Sequence, residues 1–286
     1  MAQFFHIYKG MHKKIKLKNN KTAHIQLIQE VERVNGNLIF EKIKPTKNGY
    51  AGYREGKYLP ESLHGFIFSS LENKGVDLSI GVGDVLGIIK KTLNAVVETL
   101  PTKNNLEIYI FPTLSGFVKE KMFGVNGYTP YANVIHLYVH PDSTKLKDFN
   151  KNLANTLAHE YNHAIRFLYF PNSDSEKLID NLVFEGLAEN FREYVLGGKQ
   201  APWAQALSKD VARKVFDSFG GLLLSDNYTY DDYNKIFFGN DEYAVWTGYS
   251  VGYHLVKDFI KNRGSERNWS KIIQMPAKEI LEKSGW

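Results

Sequence analysis

The sequence predicts an α+β fold, and three observations predict it. Short apolar or alternating runs closed by proline or turn residues, at 106–111 before Pro112 and at 133–139 before Pro141, read as strands. Apolar residues at helical spacing mark 84–100 and 147–169. From about residue 200 to the end the pattern is mostly helical.

The 286 residues suffice for a sizeable core, as one large domain or two unequal ones. We expect an α/β N-terminal region over 1–100 and a second domain over 101–286. Cysteine is absent, which excludes a disulfide scaffold, a thiolate zinc site and a cysteine nucleophile; any metal must be held by His, Asp or Glu. The net charge of +5 is spread along the chain, with one basic concentration from His12 to Lys18. It reads as a strand with a solvated lysine face, so no nucleic-acid partner is expected. The N-terminus lacks the pattern of a secretory signal, and no apolar run approaches the roughly 20 residues that span a bilayer. The expected location is the cytoplasm.

In chain order, residues 1–65 mix strand-like runs with turn signals at Asn35-Gly36-Asn37 and over 47–53, and His24 and His64 read as surface or packing histidines. The glycines from Gly81 to Gly87 lack the spacing of a nucleotide fingerprint and instead open a helix whose stripe is Val85, Ile88, Ile89, Leu93 and Val96. Residues 124–130 read as a turn-rich loop. The strand over 133–139 is expected at a sheet edge, where it would pair with an extended peptide, with His136 and His140 at its rim.

The helix over 147–169 carries His159-Glu160-Tyr161-Asn162-His163. Side chains four apart stack on one face of a helix, so His159 and His163 aim two imidazoles at one point, as a tetrahedral zinc requires. Glu160, one step round, is placed to take a proton from a zinc-activated water. Ser173, Asp174, Ser175 and Glu176 form a capping box opening a second helix that Gly197 and Gly198 terminate, and the short connection makes the two helices antiparallel neighbours. On it, Glu185 lies among Leu182, Val183, Leu187 and Ala188, where a lone carboxylate is costly and a metal removes the cost. Glu189, one turn on, is positioned to support His159 from behind. The competing reading makes both glutamates a solvated acidic edge. Later, Tyr249 and Tyr253, each after a glycine, share a helix face, with His254 beside them; they are either packing residues or donors to an oxyanion.

His159-Glu160-x-x-His163 followed by Glu185-Gly186-Leu187-Ala188-Glu189 resembles the gluzincin metallopeptidases. Together with Gly127-Tyr128-Thr129-Pro130 and Gly248-Tyr249 to Gly252-Tyr253, these phrases are similar to the predicted Zn-dependent protease family of the bacterial YjaZ type, over about the last two-thirds of the chain. The resemblance implies a thermolysin-like (zincin) core with a small twisted sheet, an active-site helix and a mostly helical C-terminal part. It further implies one zinc per chain on His159, His163 and Glu185, Glu160 as general base, Glu189 behind the ligands, and Tyr249 or Tyr253 as the transition-state donor. The expected function is zinc-dependent hydrolysis of peptide bonds, with a peptide or protein as substrate. The alternatives are a non-catalytic zinc-containing module that binds peptides and a metal hydrolase of a non-peptide amide.

Overall fold

Valine, isoleucine and threonine are concentrated in the first half of the chain, where the described strands lie, and alanine in the second, where periodic apolar segments build helices. The computed structural model describes residues 10–17, 22–28, 82–113, 115–171, 177–264 and 268–286. The turn signals between residues 35 and 53, His64 and the expected capping box at Ser173–Glu176 lie outside the described residues. Two compact units partition the chain: Met1–Glu98 with Thr102–Glu160, and Thr99–Pro101 with Tyr161–Trp286.

Among the described residues the first unit holds a five-stranded mixed sheet of order β1-β2-β3-β5-β4. Its strands are β1 (Gly10–Lys16), β2 (Thr22–Ile28), β3 (Leu106–Pro112), β4 (Val125–Tyr131) and β5 (Val134–Val139). β2, β3 and β5 run parallel in the interior, while β1 and β4 are antiparallel outer strands. Lys13, Lys14 and Lys16 on β1 are exposed, the solvated basic strand expected from the sequence. Helix α1 (Val82–Thr99) buries Val85, Ile89, Leu93, Val96 and Val97, and the short α2 (Gly116–Glu120) follows β3.

Two expectations are corrected here. Residues 133–139 do not form a sheet edge: β5 is bonded on both sides and all six of its residues are buried, the mark of a central strand. The edge is β4, in the stretch read as a loop. Its Gly and Pro are tolerated because an outer strand needs ladder bonds on one side only, and its pairing with β5 shifts register between Tyr128 and Tyr131. Tyr131 pairs with Val134 across a tight turn in which Asn133 takes φ +66°, a conformation asparagine tolerates.

His136 and His140 are not at a rim either; both are buried. His136 sits among the rings of Tyr109, Phe111, Tyr128 and Tyr138, with centroids 5.4–6.4 Å away. His140 Nδ1 accepts the Asp142 backbone N–H at 3.3 Å and so caps the turn after β5.

The motif helix, α3 (Phe149–Arg166), passes from the first unit into the second after Glu160. The second unit is helical: α4 (Leu178–Leu196), α5 (Lys209–Phe219), α6 (Tyr230–Phe238), α7 (Thr247–Asn262), α8 (Trp269–Ile272) and α9 (Ala277–Ser284). α4 starts at Leu178 behind Lys177, which makes no side-chain cap, and ends at Gly197 with φ +63°. α4 and α7 meet at bare backbone. A Cβ on Gly186 would stand 2.2 Å from the Gly252 carbonyl oxygen, and one on Gly252 would stand 2.1 Å from that of Leu182. Gly186 and Gly252 therefore allow α4 and α7 to approach closely. Arg166, at the end of α3, is buried and donates to the carbonyls of Ile273 and Met275, fixing the chain between α8 and α9.

Two predictions follow from this packing. Gly252→Ala drives a methyl into a backbone carbonyl that cannot swing away and should cost about 1–3 kcal/mol. Gly87→Ala, on α1 with nothing within 4 Å of its would-be Cβ, should instead stabilise by about 0.5–1 kcal/mol; urea unfolding of the two variants compares them. Burial pushes the His136 imidazolium down from its ordinary 6.5 to about 3. The unfolded chain takes up that proton below pH 6.5 while the folded chain resists until about 3, so stability held above pH 6.5 is lost as pH falls through this window. His136→Phe should flatten the fall of the urea midpoint between pH 6.5 and 3.

Candidate metal centre

On α3 the helical repeat places His159 and His163 on one face with Glu160 beside them, and one ligand atom from each of the three lies within 4.8 Å of the others. Glu160 and His163 are buried, and His159 is partly exposed.

Within the first unit, β4 fixes Glu160. The Thr129 hydroxyl donates to Glu160 Oε2 at 2.7 Å and lies 3.1 Å from the Glu160 backbone oxygen. Thr129 is itself buried.

Within the second unit, α4 runs antiparallel to the end of α3. Tyr161 stacks on Phe191, while His163 and Phe167 lie against Phe184, so contacts descend α4 as they ascend α3. The His163 and Phe184 rings are parallel within 6° at a centroid distance of 3.8 Å, which fixes the imidazole plane. Next to Phe184, Glu185 is the one residue between Asn181 and Arg192 that is not buried. Its Oε2 lies 3.5 Å from His163 Nε2. That exceeds the usual N–H···O length of about 2.7–3.2 Å. It is close to the roughly 3.3 Å that separates two ligands bound 2.0–2.1 Å from a tetrahedral zinc. Imidazole nitrogens and a carboxylate oxygen are donors that zinc takes, and the described residues whose donor atoms all lie within 4.8 Å of one another are His159, Glu160 and His163.

Glu189, one turn beyond Glu185, is buried and enclosed by partners. Arg192 pairs with its Oε1, the Ala201 N–H approaches that oxygen at 3.4 Å, and Trp203 Nε1 donates to Oε2 at 3.3 Å. Arg192 is 1% exposed and also donates to the Lys199 carbonyl at 3.1 Å. Arg192 and Trp203 had no signature in the sequence, because nothing in linear spacing announces a buried counter-ion.

The two glycine-preceded tyrosines have different surroundings. Tyr249 packs edge-on against Phe237, and Gly248 gives that ring room. The Tyr233 phenol is held well above its ordinary range by burial first, then by the neighbouring Tyr249 and Glu185, and it hydrogen-bonds Tyr249. Tyr249 and Glu185 thus both bear on the Tyr233 phenol. Tyr253 instead donates to Glu193 Oε2 at 2.7 Å and accepts from Gln200. His254 Nε2 lies 3.1 Å from the Leu207 carbonyl, and burial lowers its pKa. Tyr233 was missed in the sequence because it sits alone in a polar, aromatic segment with no motif around it.

A family model described as "Predicted Zn-dependent protease (DUF2268)" matches residues 85–282. The chain belongs to this family. Among curated proteins, "Uncharacterized protein YjfC" of Bacillus subtilis (strain 168) is 27% identical over 174 residues, which is 57% of this chain and 56% of that relative. The chain thus spans little more than half the length of the curated relative it matches. Comparison with the solved structures returns no match. Family membership agrees with the His-Glu-His cluster on α3, and among the described residues no helix is long and apolar enough to cross a membrane.

Arg192→Met would leave the Glu189 carboxylate buried without its cation and should destabilise the fold by about 3–5 kcal/mol. Adding Glu189→Gln should recover much of the loss, read as the coupling in a double-mutant cycle by urea unfolding.

Proposed function

We propose that the chain is a zinc-dependent peptidase with a thermolysin-like core, its catalytic part in residues 101–286, in which His159, His163 and Glu185 hold one zinc ion. The observation that carries this reading is the 3.5 Å between His163 Nε2 and Glu185 Oε2, brought about by two consecutive helices. The family's name supports the class of reaction.

Bound there, zinc supplies a Lewis acid and lowers the pKa of a water towards about 7. The chain's own groups do the rest. Glu160 accepts the proton of the attacking water at its carboxylate and delivers it to the departing amine. Glu189, locked by Arg192 and Trp203, supports the ligands from behind. Tyr249 donates its phenol to the oxygen on which charge develops, with Tyr253 as the second choice. Tyr249 is preferred because the Tyr253 phenol already donates its proton to Glu193. A peptide substrate would lie extended along β4, an outer strand of the sheet among the described residues and the one that carries Thr129 to Glu160.

Glu160→Gln should keep the metal content of the wild type and lower turnover of a peptide pool by at least a hundredfold, measured by mass spectrometry of the products. A variant that cleaves like the wild type excludes Glu160 as the base. A wild type that holds zinc and binds peptides without cutting them points to the binding module, and cleavage confined to small non-peptide amides to the other hydrolase.

A further inference from the structure

We infer that Thr129 and Gly127 on β4 form a seat for the Glu160 carboxylate and act as its positioning residues. The inference rests on the proposed role of Glu160 as general base.

Helix α3 places Glu160 but leaves its side-chain torsions open, and a base must present its carboxylate in one place to take a proton efficiently. Two features of β4 remove that freedom. The Thr129 hydroxyl has one proton to give, and its short 2.7 Å contact is to Glu160 Oε2, a charge-assisted bond. The Thr129 hydroxyl oxygen also lies 3.1 Å from the Glu160 backbone oxygen, so one hydroxyl spans the carboxylate and the backbone of the same residue. Two residues earlier, Gly127 lets the carboxylate come down onto the backbone. A Cβ at Gly127 would stand 2.4 Å from Glu160 Cγ, 2.5 Å from Oε1 and 2.6 Å from Cδ. Its backbone pairs with Leu137 on β5, so the strand cannot retreat. The flexible carboxylate would be the part to move. The bond donor and the bare backbone thus act on one group from one strand, which gives Gly127-Tyr128-Thr129 a purpose beyond sheet building.

The test uses the full-length chain with four substitutions: Thr129→Val, which keeps shape and removes the donor; Thr129→Ser, which keeps the donor; Gly127→Ala; and Glu160→Gln as reference. Activity on the peptide pool, zinc content, and the carboxyl-carbon NMR signal of Glu160 in metal-free, carbon-13-labelled protein are read together, with the signal assigned by its loss in Glu160→Gln. Thr129→Val is expected to lower kcat about ten- to hundredfold, the effect of losing one hydrogen bond to a charged group, with KM within twofold and zinc content unchanged. Thr129→Ser should stay within about threefold of the wild type. The Glu160 signal should shift or broaden in Thr129→Val and Gly127→Ala and stay in place in Thr129→Ser. An unmoved signal in Thr129→Val, or wild-type kcat in that variant while Glu160→Gln is inactive, overturns the proposal. Failure of the peptidase reading looks different: the wild type and Glu160→Gln then match in activity, and the NMR signal alone decides whether the seat exists.

Discussion

A carboxylate from one helix facing an imidazole from the helix before it is an arrangement that needs both backbones fixed. The 3.5 Å between Glu185 and His163 depends on the face of α4 that Glu185 occupies and on the plane of the His163 ring, which stacks on Phe184. α4 in turn is held by α7 through the contact of Gly186 and Gly252, where any side chain would strike a carbonyl. Around Glu185 the helix is buried from Asn181 to Arg192, so this one polar position opens among packed neighbours. Burying a carboxylate and an imidazole is unfavourable unless their polar atoms are satisfied, and the zinc ion proposed above would satisfy both together.

The surroundings divide the work between two kinds of support. Glu160 is governed from a strand: a hydroxyl and a glycine on β4 meet its carboxylate. Glu189 is governed from its own helix and the turn after it, where Arg192, Trp203 and a backbone N–H enclose it. Neither carboxylate is held by helix position alone. An HExxH motif specifies which side chains are near a metal; the neighbouring elements determine where their oxygens point. The two tyrosines show the same effect. They share a helix face, yet Tyr249 joins an aromatic group with Tyr233 and Phe237 while Tyr253 is tied to Glu193 and Gln200.

Much of this was legible before any coordinates, and the divide has physical causes. Helix α3 and the placement of His159, Glu160 and His163 follow from a period of 3.6, which is local and strong. Glu185 stood out because a carboxylate amid apolar neighbours is anomalous. The reading of 133–139 as a strand held, but its place in the sheet did not, since edge or centre depends on pairing partners far away in sequence. Gly127 and Pro130 look like turn residues in sequence and so hide β4; at an outer strand they are compatible with pairing, and Gly127 leaves the room that Glu160 fills. His136 and His140 are buried rather than at a rim, because aromatic neighbours from several strands enclose one and a capping bond uses the other. Arg192 and Tyr233 gave no signal, because their roles arise from partners that only folding brings near.

The measurement that bears most directly on the account is zinc K-edge X-ray absorption on the purified chain, wild type beside His163→Ala and Glu185→Gln. Convergence of His159, His163 and Glu185 predicts one zinc per chain with two imidazole nitrogens and light oxygen ligands at about 2.0–2.1 Å. It also predicts one imidazole fewer in His163→Ala and weakened binding in Glu185→Gln. A chain that purifies without divalent metal and takes up none, or a zinc whose coordination is the same in all three proteins, would contradict it.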